Sequence, residues 1–158
     1  MRKLIMFWLM IGVSPVLLAQ PVPAPEFSVS STAGQLKLSQ QRGKIVYVDF
    51  WASWCVPCRK SFPWLNQMQS RYGPAGLKII AINLDEDTSL AEQFLRQYPA
   101  AFTVGFDPKG ISAKAYKLRG MPSSYLIDRN GNLLSTHVGF RSDDQMELEQ
   151  KIRRALGK

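Results

Sequence analysis

Cys55 and Cys58, the chain's two cysteines, stand three positions apart within the stretch WASWCVPCRKSF. Thiols at that spacing can hold a structural disulfide, bind a metal or exchange electrons as a dithiol–disulfide pair. A bridge across so short a loop constrains little of the unfolded chain, so stability is a poor reason for it. Structural zinc takes four ligands, usually two such pairs or one pair with two histidines. This chain offers two cysteines and the single His137, which is too few. Cys55, Cys58 and His137 would suffice for a Cu(I) metallochaperone, which binds and delivers without turnover. That carrier is the alternative to redox chemistry.

The flanking sequence says how the pair is held. Residues 45–50 (IVYVDF) are an apolar, β-branched run expected as a buried central strand. A helix is expected from Pro57 onward, with Phe62, Leu65, Met68 or Gln69, and Tyr72 at helical spacing and Gly73-Pro74 as its stop. Pro57 suits a first turn, where the amide it lacks would have no helical partner. Cys55 then lies at the helix N-terminus and Cys58 about one turn inside. Free amides and the helix dipole at that end favour thiolate over thiol, and thiolate is the attacking species in disulfide exchange. Cys55 is therefore the expected exposed nucleophile and Cys58 the resolving thiol.

A chain of 158 residues, 46% hydrophobic and 20% charged, can bury one good core as a single domain. Its net charge is +8, yet lysines and arginines are scattered, with no tract longer than a pair. No nucleic-acid recognition motif accompanies them, so a solvated basic surface and no nucleic-acid partner are expected. Residues 1–19 differ in kind: Arg2 and Lys3 precede an uncharged apolar run that ends at Ala19, as in a cleavable signal peptide. The run is short for a bilayer and contains Gly12 and Pro15, which argues against a permanent anchor. The expected location is the periplasm, an oxidising compartment where disulfides persist.

The segment VDFWASWCVPCRKSFPWL resembles the active site of thioredoxin-fold oxidoreductases, and residues 27–158 are similar to the exported TlpA/ResA-type thiol:disulfide oxidoreductases. Further elements carry the resemblance in order. Gly120-Met121-Pro122 before SSYLID matches the family's cis-proline loop, which lies beside the cysteines and helps hold extended substrate backbone. DRNGN, with Asn130-Gly131 at its tip, is expected as a hairpin turn into a strand over 133–138. Ser142 with Gln145 is expected to cap a last helix striped by Leu148, Ile152 and Leu156. Between these, residues 77–84 (LKIIAINL) form a second buried strand. Ser89 with Glu92 caps a helix carrying Leu90, Phe94, Leu95 and Tyr98, and residues 102–106 form a strand ending at the DPKG turn. This added helix and strand resembles the insertion that marks the TlpA/ResA group.

The implied fold class is α/β and thioredoxin-like, a mixed central sheet of five or so strands flanked by helices, with the extra helix-strand insertion. It would occupy residues 26–158, behind the signal peptide (1–19) and a stiff Pro-rich lead-in (20–25, QPVPAP) outside the core. The resemblance implies a cofactor-free enzyme with no metal. Its partners would be exported proteins carrying disulfides and a membrane electron donor protein. Trp54, Val56, Pro57, Met121 and Pro122 would form the substrate-binding surface. Trp51 and Trp64 are expected in the core or at its rim, and His137 at the surface. Peroxidase chemistry is not expected, because Cys55 lacks the Pro-x-x-x-Thr/Ser-x-x-Cys arrangement of peroxiredoxins.

Many relatives carry a glutamate three residues after the second cysteine, where this chain has Ser61. Asp49 stands where thioredoxin keeps a buried aspartate behind the resolving cysteine. Desolvation in an apolar strand raises a carboxyl pKa, which suits Asp49 to accept the Cys58 proton as a third catalytic residue. Val56 and Pro57 between the cysteines supply neither a histidine nor an extra amide to stabilise the thiolate, so the pair is expected to be a reductant. Its targets would be envelope disulfides or the heme-attachment cysteines of apocytochromes.

Overall fold

A computed structural model describes residues 20–158; the expected signal peptide, residues 1–19, lies outside the described residues. The fold is organised around the run IVYVDFW, β3 (Ile45–Trp51), in which every residue is buried. Burial on both faces explains why its side chains show no polar alternation. On one side β3 pairs in parallel with β4 (Leu77–Asn83), which in turn pairs in parallel with β5 (Thr103–Phe106). On the other it pairs antiparallel with β6 (Ser123–Ile127), and β6 with β7 (Leu133–Val138).

Two strands exceed the expected five. β1 (Ser28–Ser31) and β2 (Gly34–Lys37) form a hairpin that joins the sheet along β5, giving the order β2-β1-β5-β4-β3-β6-β7. The lead-in is extended, as expected, but it is docked. Ala24 N–H donates to Gly131 O at 3.0 Å and Leu133 N–H to Val22 O at 2.8 Å. Its prolines cost the segment nothing here, because the residues between them supply the donor and the acceptor.

Among the described residues four α-helices cover the sheet: α1 (Cys58–Tyr72), α2 (Thr88–Gln97), α3 (Ile111–Ala115) and α4 (Asp144–Leu156). The core is divided by the sheet. Tyr47, Trp51, Phe62, Leu65, Phe94, Leu148 and Ile152 pack on the face that carries α1, α2 and α4. Val46, Val48, Phe50, Ile80, Tyr116 and Tyr125 fill the opposite face with Phe27. Asp49 has the odd-numbered parity of Tyr47 and Trp51, and so points to the α1 face.

Several termini differ from expectation. α2 is capped by the Asp87 carboxylate, which accepts Ser89 N–H at 2.9 Å, so Ser89 lies inside the helix rather than at its cap. The Ser142 capping box does not form. Asp144, the first residue of α4, instead accepts Arg141 N–H at 2.8 Å. At DRNGN, Gly131 has φ +83 while Asn130 does not enter that region, so the turn is not the two-residue form. The Asp128 carboxylate holds it by accepting the backbone amides of Asn130 (2.9 Å) and Asn132 (2.7 Å).

Candidate active site

β3 runs out at Trp51, and residues 52–57 cross from its end to α1. Cys55 N–H donates to Ala52 O at 3.0 Å and Cys58 N–H to Cys55 O at 3.2 Å, so the approach to the helix is a succession of turns. Cys58 is the first residue of α1 and Cys55 lies in the turn before it, about one turn earlier along the helix than expected. The two are joined as a disulfide with Cα atoms 5.4 Å apart. The first amides of α1 are not free in this oxidised state: Arg59 donates to Val56 O (3.2 Å), and Lys60 and Ser61 to Pro57 O (3.0 and 3.2 Å). The field of the helix dipole is what remains to favour a Cys55 thiolate.

Cys55 is not exposed. It is 3% accessible and Cys58 0%, so the disulfide lies just under the surface. The chain neighbours of Cys55 are themselves exposed, Trp54 at 67% and Val56 at 61%. Trp51, Phe62, Phe94 and Phe102 form an aromatic cluster in the core that also holds the pair, three contacts edge-to-face and Trp51–Phe94 tilted, with centroids 4.7–5.2 Å apart. That cluster ties α2 and the residue leading into β5 to β3 and α1.

The peptide Met121-Pro122 is cis, as the resemblance implied. It immediately precedes β6, whose Ser123 is paired with Phe50, so Pro122 stands beside the end of β3 from which the cysteine loop departs. Met121 packs on the core cluster that includes both cysteines. The Pro122 carbonyl accepts Gly139 N–H at 2.7 Å, which fastens the loop to the end of β7.

Asp49 is 3% exposed, and its Oδ2 has no hydrogen-bond partner. Burial holds its carboxyl well above the usual carboxylate range. Ser124 lies across from it in the β3–β6 register and accepts the Tyr47 hydroxyl at 2.8 Å. Burial first, and the Asp49 charge second, raise the Tyr47 phenol far above its ordinary value. Ser61 is buried and its hydroxyl donates to Cys58 O at 3.1 Å.

His137 lies apart from this assembly. Its Nε2 is 3.4 Å from Asp144 Oδ2, with the side chain partly buried against α4. Among the described residues no group of three or more His, Cys, Asp or Glu is placed to hold a metal ion. Cys55, Cys58 and His137 therefore do not assemble the Cu(I) site considered as the alternative.

One group at the site was missed from sequence. Asp85, just beyond β4, is buried and accepts Ser53 N–H, Ser53 Oγ–H and Asn83 Nδ2–H at 2.8, 2.8 and 2.7 Å. The signal available was Asn83-x-Asp85 ending an apolar strand, but its partner lies far earlier in the chain.

A disulfide at the N-terminus of the first major helix, a cis-proline loop next to the strand end that leads to it and a buried aspartate on the same face of the sheet define a thioredoxin-fold dithiol–disulfide protein. The chain belongs to the AhpC/TSA family, whose model matches residues 22–136. It is a thiol:disulfide oxidoreductase. It is 34% identical over 125 residues to the thiol-disulfide oxidoreductase ResA of Bacillus thuringiensis subsp. konkukian, spanning 78% of this chain and 72% of that one. A crystal structure of a DsbE thiol:disulfide interchange protein from Chlorobium tepidum superposes with TM-score 0.85 at 54% identity, covering 89% of this chain and 99% of that one. A second thioredoxin-family interchange protein, from Chlorobium tepidum TLS, gives 0.76 at 27% identity over 88% and 99% of the two chains.

Proposed function

We propose that the chain acts outside the cytoplasm as a reductant of disulfides in exported proteins, with Cys55 as nucleophile, Cys58 as resolving thiol and Asp49 as proton acceptor. The observation that carries this reading is the Cys55–Cys58 disulfide flanked in the chain by exposed Trp54 and Val56, with an unpartnered buried carboxylate oxygen of Asp49 on the same face of the sheet. In the reduced protein the Cys55 thiolate attacks one sulfur of a substrate disulfide. A Cys55–substrate bond forms and the first substrate thiolate leaves. Cys58 then gives its proton to Asp49 and attacks the Cys55 sulfur. The mixed disulfide breaks, the second substrate thiolate departs, and two electrons have passed to the substrate. Trp54, Val56 and Pro57 on one side, and Met121 with Pro122 on the other, would receive the substrate chain.

Three features support the remaining parts of the proposal. Residues 1–19 read as a signal peptide ahead of the domain that starts at residue 26, which would deliver it to the periplasm. The relatives are named as thiol-disulfide oxidoreductases and interchange proteins, which fits envelope protein disulfides or apocytochrome heme-attachment cysteines as substrates. An enzyme that ends each cycle oxidised needs a dithiol donor, for which a membrane protein is the natural class in an oxidising compartment.

Direction is tested by equilibrating the protein with glutathione buffers and by following insulin reduction with dithiothreitol as electron source. The expected results are turnover of insulin and a potential on the reducing side of the strong periplasmic oxidants, near −120 mV. A potential matching those oxidants would reverse the direction. Absence of turnover would remove the reductase reading.

A further inference from the structure

The loop that delivers Cys55 has little of its own to hold it. Residues 52–54 follow the last strand residue, and Trp54 lies mostly in solvent. The loop is nonetheless hooked in the middle. Ser53 donates both its backbone amide and its hydroxyl to the Asp85 carboxylate, one to each oxygen. Asp85 is held from behind: Asn83 Nδ2 donates to its Oδ2 at 2.7 Å, and its own amide donates to Asn83 Oδ1 at 3.0 Å. Asn83 is fully buried, and its backbone carbonyl accepts Asp107 N–H at 2.9 Å. Leu84 N–H closes the set on Trp51 O at 3.0 Å. Charge-assisted bonds of this kind are stronger than neutral ones and, when buried, fix geometry.

We infer that Asp85 is the positioning residue of the redox loop, gripping Ser53 so that Cys55 and Trp54 are held ready for an incoming disulfide. The hook has a second consequence on the substrate side. Ser53 lines a cleft of about 170 Å³ with Arg59, Leu90, Gln93 and Gln97, so its position sets one wall of a groove between the cysteine turn and the inserted helix α2. Release of Ser53 would loosen the platform under Trp54 and move that wall, which weakens substrate binding. It would also let Cys55 wander from Cys58, which lowers the effective concentration of one thiol at the other and favours the open dithiol. The inference concerns the exchange reaction itself and holds whichever way electrons flow.

Asp85→Ala, Asp85→Asn and Ser53→Ala separate geometry from charge. An asparagine can accept Ser53 N–H and Asn83 Nδ2–H at its amide oxygen and donate its amide to Ser53 Oγ, so it keeps the hook without the charge. In insulin reduction, Asp85→Ala is expected to lower kcat/KM about tenfold, chiefly through KM, with Ser53→Ala about threefold down and Asp85→Asn restored to near the parent value. The glutathione equilibrium of Asp85→Ala should move at least threefold toward the dithiol. Because Ser53→Ala keeps the backbone bond, it reads the effect even if Asp85→Ala fails to fold. Unchanged KM and glutathione equilibrium in Ser53→Ala and Asp85→Asn, with only Tm altered, would reduce the network to a stabilising one. Equal losses in Asp85→Asn and Asp85→Ala would show that charge, not grip, is what Asp85 supplies. Either result overturns the inference.

Discussion

Replacement of Asp49 by asparagine should change how the stability of the oxidised protein depends on pH. The carboxyl is 3% exposed, one oxygen has no partner, and burial holds its pKa well above the usual carboxylate value. In the unfolded chain the same group ionises near 3.9. Between those two values the folded protein holds one proton that the unfolded chain has released. Stability must then fall as pH rises, by about 1.4 kcal/mol for each pH unit in that window, and level off above the folded pKa. Asparagine carries no titrating proton, so the Asp49 contribution to the slope disappears. Its buried amide will have its own cost, on the order of 1–3 kcal/mol, but that offset does not change with pH. Urea unfolding of both oxidised proteins from pH 4.5 to 8 measures the difference. The expected result is that Asp49→Asn gains on the parent steadily with pH, at close to one proton's slope, before the two curves become parallel. Curves parallel throughout would mean that Asp49 is already ionised in the fold, and the argument for it as holder of the Cys58 proton would go with them. The oxidised state is the appropriate one to test, since on the proposed mechanism it is the state in which Asp49 holds that proton.

The remaining expectations are brief. Cys58→Ser should accumulate mixed disulfides with envelope proteins on non-reducing gels while Cys55→Ser does not, and equal trapping by both would undo the assignment of roles. Trp54→Ala should leave unfolding free energy within about 0.5 kcal/mol of the parent, because the side chain is 67% exposed, yet raise KM for insulin several-fold. Gly131→Ala should destabilise by about 1–2 kcal/mol in urea titrations, since φ is +83, while the Arg42 guanidinium that a Cβ would meet is the far end of a long side chain and can move aside. Mass spectrometry of exported protein should find a chain starting at Gln20, and recovery of only the full-length chain in membranes would favour an anchor.

What could be read from sequence follows from how far apart the interacting groups lie. β3, β4 and β7 were legible because each is one unbroken apolar or alternating run, and α1 because its stripe and its Gly-Pro stop are local. The β1–β2 hairpin was not. Its strands, SVSS and GQLK, place only Val29 and Leu36 in the core, too few to register as a period. Helix starts were displaced for local reasons: at α2 the Asp87 carboxylate caps ahead of Ser89, and at α4 Asp143 takes the cap position with no side-chain bond while the Asp144 carboxylate is turned to Arg141 N–H. At the site, the pairing of the cysteines, the cis peptide and the burial of Asp49 were legible through motif and resemblance. The burial of Cys55 was not, because it depends on how the turn between β3 and α1 folds onto the core. The grip of Asp85 on Ser53 was out of reach for the same reason, being a tertiary contact across 32 positions.

Asp49 and Asp85 show how the same side chain is given different work by its neighbours. Both are 3% exposed, and both sit near the end of a central strand that leads to the site. Asp85 lies past the end of β4, where the backbone turns and unpaired donors are at hand; Ser53 and Asn83 supply three to its side chain. Asp49 lies inside β3, where the ladder with β4 and β6 consumes the backbone amides, and its Oδ2 meets no hydrogen-bond donor. A carboxylate rich in donors is a fixed anchor. One without them binds a proton tightly and, when ionised, is a base. With Ser61 bonded to the Cys58 carbonyl, the first turn of α1 brings no carboxylate to Cys58. On the proposed mechanism the Cys58 proton passes to Asp49, the buried carboxylate that lacks donors, and the inference made for Asp85 gives it the separate task of holding the thiol that attacks first.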